Sequence, residues 1–220
     1  CVWDWFTDEE PEHTVFLDSY WIDQTEITNA MYEKCVSGGG CERPSEQSSA
    51  TREMYYGIFE FDDYPVIYVN KQQASDYCQW AGRRLPTEAE WEKAARGTNG
   101  RIYPWESNYV KEAWANYNRY KTGDTSMVAA YPDGASPYGV LDMAGNVWEW
   151  VEDFYNENYY KNSSESNPSG PSQGRLGVLR GGAWNSQSYE IRSANRDYLD
   201  LDDSSSSIGF RCALSENPSP

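Results

Sequence analysis

The stretch Asp142-Met-Ala-Gly-Asn-Val-Trp-Glu-Trp150 is the most informative part of the chain. Two segments follow it, Val178-Leu-Arg-Gly-Gly-Ala-Trp184 and Gly209-Phe-Arg-Cys-Ala213. A fourth lies upstream, Ala81-Gly-Arg-Arg-Leu-Pro-Thr-Glu-Ala-Glu-Trp91. Apolar and aromatic residues bounded by turn residues predict short strands in the first three segments, and the fourth contains a helix start.

The N-terminal half of the chain carries helix signals at 28–36, 71–81 and 87–96. In the last of these, Thr87 and Glu90 have the spacing of a capping box, in which each side chain accepts a hydrogen bond from the other residue's backbone amide. Apolar residues recur at helical spacing in 71–81. After residue 100 the sequence breaks into short runs, which predict no further helix of normal length.

Short strands are predicted wherever apolar or aromatic runs are bounded by Gly, Pro, Asn or Asp. Residues 42–62 mix charged, Ser and Tyr residues without helical spacing and predict a long surface loop. The predicted strands are 15–22, 127–131, 147–151, 177–181, 190–195 and 208–213. The fold class is therefore α+β, with a loop-rich second half.

Length and charge limit the classes of function. The 220 residues suit one domain, and 18 Lys and Arg against 35 Asp and Glu give a net charge of −17. An acidic protein repels phosphate backbones and anionic lipids, so no nucleic-acid partner is expected. No run approaches the roughly 20 apolar residues of a membrane span.

The four quoted segments resemble, in order and spacing, the formylglycine-generating enzyme, or sulfatase-modifying factor, family. The resemblance runs from about Val15 to Ala213. It implies a C-type-lectin-like fold, with two helices on a small twisted antiparallel sheet and long structured loops. We expect a domain over 15–214, an N-terminal arm over 1–14 and a tail over 215–220.

The chain contains five cysteines. Cys35 and Cys41 flank a glycine-rich loop that closes easily, which favours a disulfide. Cys78 and Cys212 match family positions that are joined, so the resemblance implies a second disulfide and an oxidising, extracytoplasmic compartment. Cys1 is left over, and three readings stay open: a free thiol, an intermolecular thiol, or the lipid-anchored first residue of a bacterial lipoprotein.

Two positions are predicted to hold structural Ca²⁺, an ion that takes six to eight oxygen ligands from carboxylates, amides and main chain. At the first, side-chain and carbonyl oxygens alternate. The alternative is that Asp142 and Glu149 cap turns or pair with Arg180 or Arg211. Both positions match calcium sites of the family, the second more loosely. The first comprises Asp142, Gly145, Val147 and Glu149, and the second Asn116, Tyr117, Asp124 and Ser126.

Catalysis in the family depends on two redox-active thiols that hold copper(I), and they follow an Arg-Gly-Gly-Ser stretch. Here Ala183 replaces the usual Ser. One His is too few for an iron centre, so neither copper nor iron is expected. Ser186 as a hydrolytic nucleophile would have only His13 as a base. Where the two cysteines would lie, the chain has Asn185, Ser186, Ser188 and Tyr189.

Polar and aromatic residues fill the remaining positions of 183–207, which also resembles the variable proteins of diversity-generating retroelements. An ordinary polar surface loop is the alternative. The aromatic side chains offer rigid contact area, and the carboxylates favour a basic partner. The predicted ligand surface is Trp184, Asn185, Tyr189, Asp197, Tyr198, Asp200 and Asp202.

The sequence therefore predicts a non-catalytic, calcium-stabilised binding or structural module that acts outside the cytoplasm on a protein or surface ligand. Three alternatives remain. They are a formylglycine-type oxidase acting on a protein cysteine, a diversified ligand-binding protein, and a structural subunit of a surface filament or envelope layer.

Overall fold

The computed structural model describes residues 4–118 and 123–216. Its three α-helices lie in the first half of the chain: α1 is Asn29–Ser37, α2 is Lys71–Trp80 and α3 is Glu88–Arg96. Helices α2 and α3 pack on the central sheet, and α1 packs against α2. The predicted arrangement of two helices on a sheet is thus confirmed, with a third helix beside them.

The helix starts follow from local capping. Thr28 accepts a hydrogen bond from the backbone of the first turn of α1. Asn70 with Gln73, and Thr87 with Glu90, form complete capping boxes at α2 and α3. Such caps satisfy amide groups that would otherwise lack a partner at the helix N-terminus.

Within the described residues, six short strands form two sheets, and long loops connect them. A four-stranded sheet has the order β4-β3-β2-β5, and β1 pairs with β6 in a two-stranded sheet. All pairs are antiparallel except β2 with β5. The strands are β1 Tyr20–Ile22, β2 Trp148–Phe154, β3 Leu176–Arg180, β4 Arg196–Asp200, β5 Ile208–Phe210 and β6 Ala213–Ser215.

Two predicted strands are wrong. Residues 127–131 form turns, because Ala129 has a φ of 59° and donates its N–H to the side chain of Asp142. Residues 190–195 also form turns, because the buried guanidinium of Arg180 binds the carbonyls of residues 193 to 195. The strand in this region begins only at residue 196.

The predicted surface loop at 42–62 is partly a core element. Tyr55 and Tyr56 are buried in it, and the Tyr55 hydroxyl donates to the Pro65 carbonyl at 2.6 Å. The sequence pattern of alternating polar residues concealed these two rings. In the described part of the chain, no helix has the length and apolar character that crossing a bilayer requires.

Candidate functional site

Both predicted disulfides are confirmed. Cys35 bonds to Cys41 with their Cα atoms 5.3 Å apart, and Cys78 bonds to Cys212 at 5.6 Å. The second bond joins α2 to the chain beyond β5, 134 residues away in sequence. Cys1 lies outside the described residues. Every cysteine that the structure describes is therefore oxidised and holds no metal.

The segment expected to carry family chemistry begins with a tight turn. The Ser186 hydroxyl accepts the Ala183 N–H at 3.0 Å, and the Ser186 N–H donates to the Ala183 carbonyl at 2.9 Å. Ser186 is buried in this turn, whereas His13 lies in a hollow that Ser186 does not line. The two residues do not form a nucleophile and base pair. The sequence from Gly182 to Gly209 contains no cysteine.

The predicted ligand surface needs one correction. Trp184 is only 5% exposed, packs in the main hydrophobic core and donates its indole N–H to the Ser206 carbonyl at 3.2 Å. It is a framework residue rather than a contact residue. Tyr189 is 44% exposed, and Asn185 and Asp202 are also exposed, so these three remain available to a partner.

The edge strand β4 divides the rest of that surface. Successive side chains of a strand point to opposite faces, so Asp197 lies on one face and Tyr198 and Asp200 lie on the other. Tyr198 is 47% exposed, and its ring packs on Tyr155 with a centroid distance of 4.2 Å. The predicted residues therefore form two adjoining patches rather than one.

At the first predicted calcium position, Glu149 already has protein partners. Arg211 donates to both carboxylate oxygens at 2.7 Å, and the Trp91 indole donates to one of them at 2.8 Å. Both members of the ion pair are fully buried. The pairing with Arg211 that the sequence offered as the alternative is thus present, and any cation would share Glu149 with it.

Two further carboxyl groups, Asp142 and Glu26, are buried close to this pair. Burial raises the pKa of Asp142 to about 6, and Glu149 nearby also raises it. Burial raises the pKa of Glu26 well above its ordinary value, with further contributions from Asp142 and Glu149. One oxygen of Glu26 is buried with no hydrogen-bond partner. Three buried carboxyl groups therefore lie around the single guanidinium of Arg211, a balance that a cation would improve.

Sequence reasoning missed two residues at this position, Glu26 and Asn146. The Asn146 amide donates to Glu26 at 2.8 Å, and its oxygen accepts from the Ser126 backbone at 2.9 Å and from the Asn116 amide at 3.3 Å. Asn146 thus connects the two predicted calcium positions. Its φ of 63° is typical of Asn in a turn, and the Gly-Asn dipeptide was the available signal.

Tyr117, which was assigned to the second predicted calcium position, packs in an apolar cluster.

At the second predicted calcium position, Asp124 also has protein partners already, so any cation would share it with them. Asp124 accepts hydrogen bonds from Ser49, Thr51 and Thr125 and pairs with Arg52 at 3.1 Å. Burial acts to raise the pKa of Asp124, but the hydrogen bonds from Ser49 and Thr51 outweigh it and hold the pKa below its ordinary value. Protein donors thus occupy both carboxylate oxygens.

No three His, Cys, Asp or Glu side chains converge on a metal-sized site within the described ranges. A cation at the first position would therefore depend largely on main-chain and amide oxygens. The backbone there is sharply turned, with φ of 58° at Asp142 and 83° at Gly145. A Cβ atom at Gly145 would collide with the Asn116 carbonyl, so only glycine allows this close approach.

Comparison with known proteins places these features in context. Residues 3–216 match the family model described as sulfatase-modifying factor enzyme 1-like domain. The serine/threonine-protein kinase pkn1 of Chlamydia caviae is 37% identical over 219 residues, which cover 94% of this chain and 34% of the kinase. The chain therefore spans about a third of that relative's length.

The chain is also similar to an enzyme and to a solved structure. The formylglycine-generating enzyme of Streptomyces coelicolor is 33% identical over 257 residues, covering 93% of this chain and 81% of the enzyme. The structure of Treponema denticola variable protein 1 superposes with a TM-score of 0.78 at 23% identity, covering 96% of this chain and 89% of that one. At that identity the likeness shows the fold alone.

Proposed function

Because the chain belongs to the sulfatase-modifying factor family, we propose that it is a non-catalytic member that binds a protein or surface ligand outside the cytoplasm. The observation that carries the proposal is the lack of thiols where family chemistry occurs. Oxidation of a substrate cysteine there needs two thiolates to hold copper(I), and hydroxyl or amide groups do not replace them. Neither copper nor iron has a role in this proposal.

The disulfides support the proposed compartment. Bonds such as Cys78–Cys212 persist in secreted, periplasmic or cell-surface proteins and are rare where thiol reductants are abundant. The bond also ties α2 to the end of the sheet, so it stabilises the framework on which the polar loops are mounted.

The binding surface that we propose is the part of the predicted set that remains exposed. Tyr189 and Tyr198 supply rigid aromatic area, and the carboxylates of the exposed Asp202 and the half-buried Asp200 favour a basic partner. Trp184 packs in the main hydrophobic core and is not part of this surface.

A diversified recognition protein is the second candidate. The fold shared with Treponema denticola variable protein 1 is compatible with it, and the local structure favours it as well. Exposed side chains at 185, 187, 188 and 189 are carried on a backbone fixed by Gly182, which contacts the Ile191 position so closely that no Cβ fits. Substitution at the exposed positions would leave that backbone intact.

Calcium at the first predicted position is part of the proposal, supported by the excess of buried carboxyl groups around Arg211. An ion that binds only the folded state stabilises it, by about 2.7 kcal/mol at a concentration one hundred times its dissociation constant. Chelation should therefore lower the melting temperature, and added Ca²⁺ should restore it. The substitution Asp142→Asn should abolish that response, whereas Asp133→Asn, at an exposed position, should keep it. A melting temperature indifferent to chelation would remove calcium from the account.

The absence of catalysis is tested by turnover. The chain is incubated aerobically with a cysteine-containing sulfatase peptide, with and without copper(I) and a reductant, and the peptide mass is followed. We expect the cysteine to remain, while the Streptomyces coelicolor enzyme converts the same peptide. Formation of formylglycine by this chain would refute the proposal.

A further inference from the structure

The N-terminal segment Asp4–Glu9, Asp-Trp-Phe-Thr-Asp-Glu, is not a free arm. It forms two short 3₁₀ turns joined by a kink at Phe6. Its side chains and one carbonyl contact the turns that precede β4, the first residue of β4 and the residue that follows β2. No strand pairing holds it, and residues 6–9, whose side chains the structure describes, belong to none of the hydrophobic core clusters. Side-chain contacts and one main-chain acceptor hold it in place.

One end of the segment is bound by an arginine. Both oxygens of Glu9 accept from the guanidinium of Arg192, at 2.6 and 2.9 Å. The same guanidinium lies 4.0 Å from the centre of the Phe6 ring, which also contacts Tyr189. Arg192 thus binds an aromatic ring and a carboxylate at the same time, through a cation–π contact and a bidentate ion pair.

The neighbouring residue is also recognised. The Tyr155 hydroxyl donates to the Asp8 carboxylate at 3.0 Å, and Arg196 donates to the Asp8 carbonyl at 2.8 Å. The groove beneath the segment therefore presents donors spaced to match an aromatic residue followed, after one residue, by two consecutive acids. We call it the arginine–tyrosine groove, formed by Tyr155, Tyr189, Arg192 and Arg196.

The two arginines of the groove differ in their other partners. Arg196 is paired with the buried carboxylate of Glu88 at 2.8 Å whether or not the segment is present. Arg192 otherwise donates only to a neutral group, the Tyr189 carbonyl at 2.9 Å, among its described hydrogen bonds. Departure of the segment would therefore leave Arg192 as an unbalanced cation on a protein whose net charge is −17. Such a site favours a ligand that carries both a carboxylate and an aromatic ring.

We propose that the arginine–tyrosine groove is a recognition site for an acidic peptide with the pattern aromatic, any residue, Asp, Glu, and that residues 4–9 occupy it as an intramolecular competitor. The charge complementarity commits the site to an acidic segment of a partner. It adjoins the acidic outer face proposed for a basic partner and shares Tyr189 with it, while Tyr155 of the groove packs on Tyr198 of that face. The groove proposal holds whether or not the protein is catalytic.

A competition experiment on the 220-residue chain tests this. The probe is a fluorescent peptide, Asp-Trp-Phe-Thr-Asp-Glu-Glu, followed by anisotropy. Replacing Phe6→Ala and Glu9→Gln within the chain weakens the internal competitor, so the double variant should bind the peptide at least 10-fold more tightly than the wild type, because a site that is open more of the time has a higher apparent affinity.

Specificity is tested in the same background. Adding Arg192→Ala should abolish binding, whereas Arg175→Ala, at an exposed arginine elsewhere, should not change it. A peptide with Lys in place of Asp and Glu should not bind. A cooperative melting transition establishes that each variant is folded, and if Arg192→Ala lacks one, Arg192→Gln replaces it.

Three results would overturn the proposal. They are equal binding of the peptide to wild type and double variant, binding that survives loss of Arg192, and dimerisation of the wild type that Glu9→Gln abolishes. The last result would mean that the groove takes the segment of a second copy rather than a partner peptide. The turnover assay is independent of all three, so failure here and failure of the proposed function are distinguishable.

Discussion

The buried arginines of the framework and the arginine of the groove carry the same charge in opposite circumstances. Arg180 and Arg211 are fully buried, and each is bound by a glutamate of the framework, Glu92 or Glu149. Arg192 is 19% exposed at its side chain and depends on Glu9, from the other end of the chain. The first two cannot lose their partners without leaving a charge in the core, whereas water can replace the partner of the third.

The comparison is tested most strongly by removing an arginine from each region. Arg211→Ala leaves Glu149 buried and uncompensated, so the free energy of unfolding should fall by about 3–5 kcal/mol. Arg192→Ala removes a partly exposed pair and should cost no more than about 1 kcal/mol. Urea denaturation measures both. Equal losses would mean that the groove is part of the framework.

The aromatic residues allow a similar test. Trp184→Ala should destabilise by about 3–5 kcal/mol, because it leaves a cavity in the main core. Tyr198→Ala, at a half-exposed position, should cost about 1 kcal/mol or less. If Trp184 were a surface contact residue, as its sequence context predicted, the two variants would have similar denaturation midpoints.

A third test uses pH on the framework side. Burial raises the pKa of Asp153 to about 7, and the nearby Glu88 carboxylate also raises it. A carboxyl whose pKa is raised on folding stabilises fully below its unfolded pKa, and that stability is lost as the pH rises through about 7. Asp153→Asn mimics the protonated form and still accepts the Glu88 amide.

Between pH 4 and pH 8, the free energy of unfolding of Asp153→Asn should therefore rise relative to that of the wild type, by an amount on the order of 2–4 kcal/mol. Denaturation at a series of pH values measures the difference. An offset between the two proteins that stays constant with pH would show that Asp153 does not titrate in this range.

The sequence predicted what depends on neighbouring residues. The three helix starts could be predicted because helix caps are local: the side chains of Thr28, Asn70 and Thr87 each bond an amide three residues away. The disulfides were predicted as well, one from its short glycine loop and one from the family resemblance.

What failed depends on partners far along the chain. The strand predicted at 190–195 is replaced by turns because the Arg180 guanidinium donates hydrogen bonds to the carbonyls of residues 193 to 195. Trp184 was assigned to the surface because a loop sequence has no periodicity that would mark a residue as buried. Glu26 was missed because its partner Asn146 is 120 residues away. Docking of residues 4–9 likewise depends on Arg192. Neither the sequence of residues 4–9 nor the sequence around Arg192 indicated this contact.

Native-state hydrogen exchange, read residue by residue, tests the division of the molecule most directly. Amides of β2, β3 and β5 should exchange only through global unfolding, whereas those of residues 4–9 and 185–190 should exchange through local opening at much lower free energy. The substitution Glu9→Gln weakens the docking of the segment, so it should accelerate amide exchange at residues 4–9 without changing exchange in the sheet. Uniform protection across both regions, or a change in the sheet on loss of Glu9, would contradict the account.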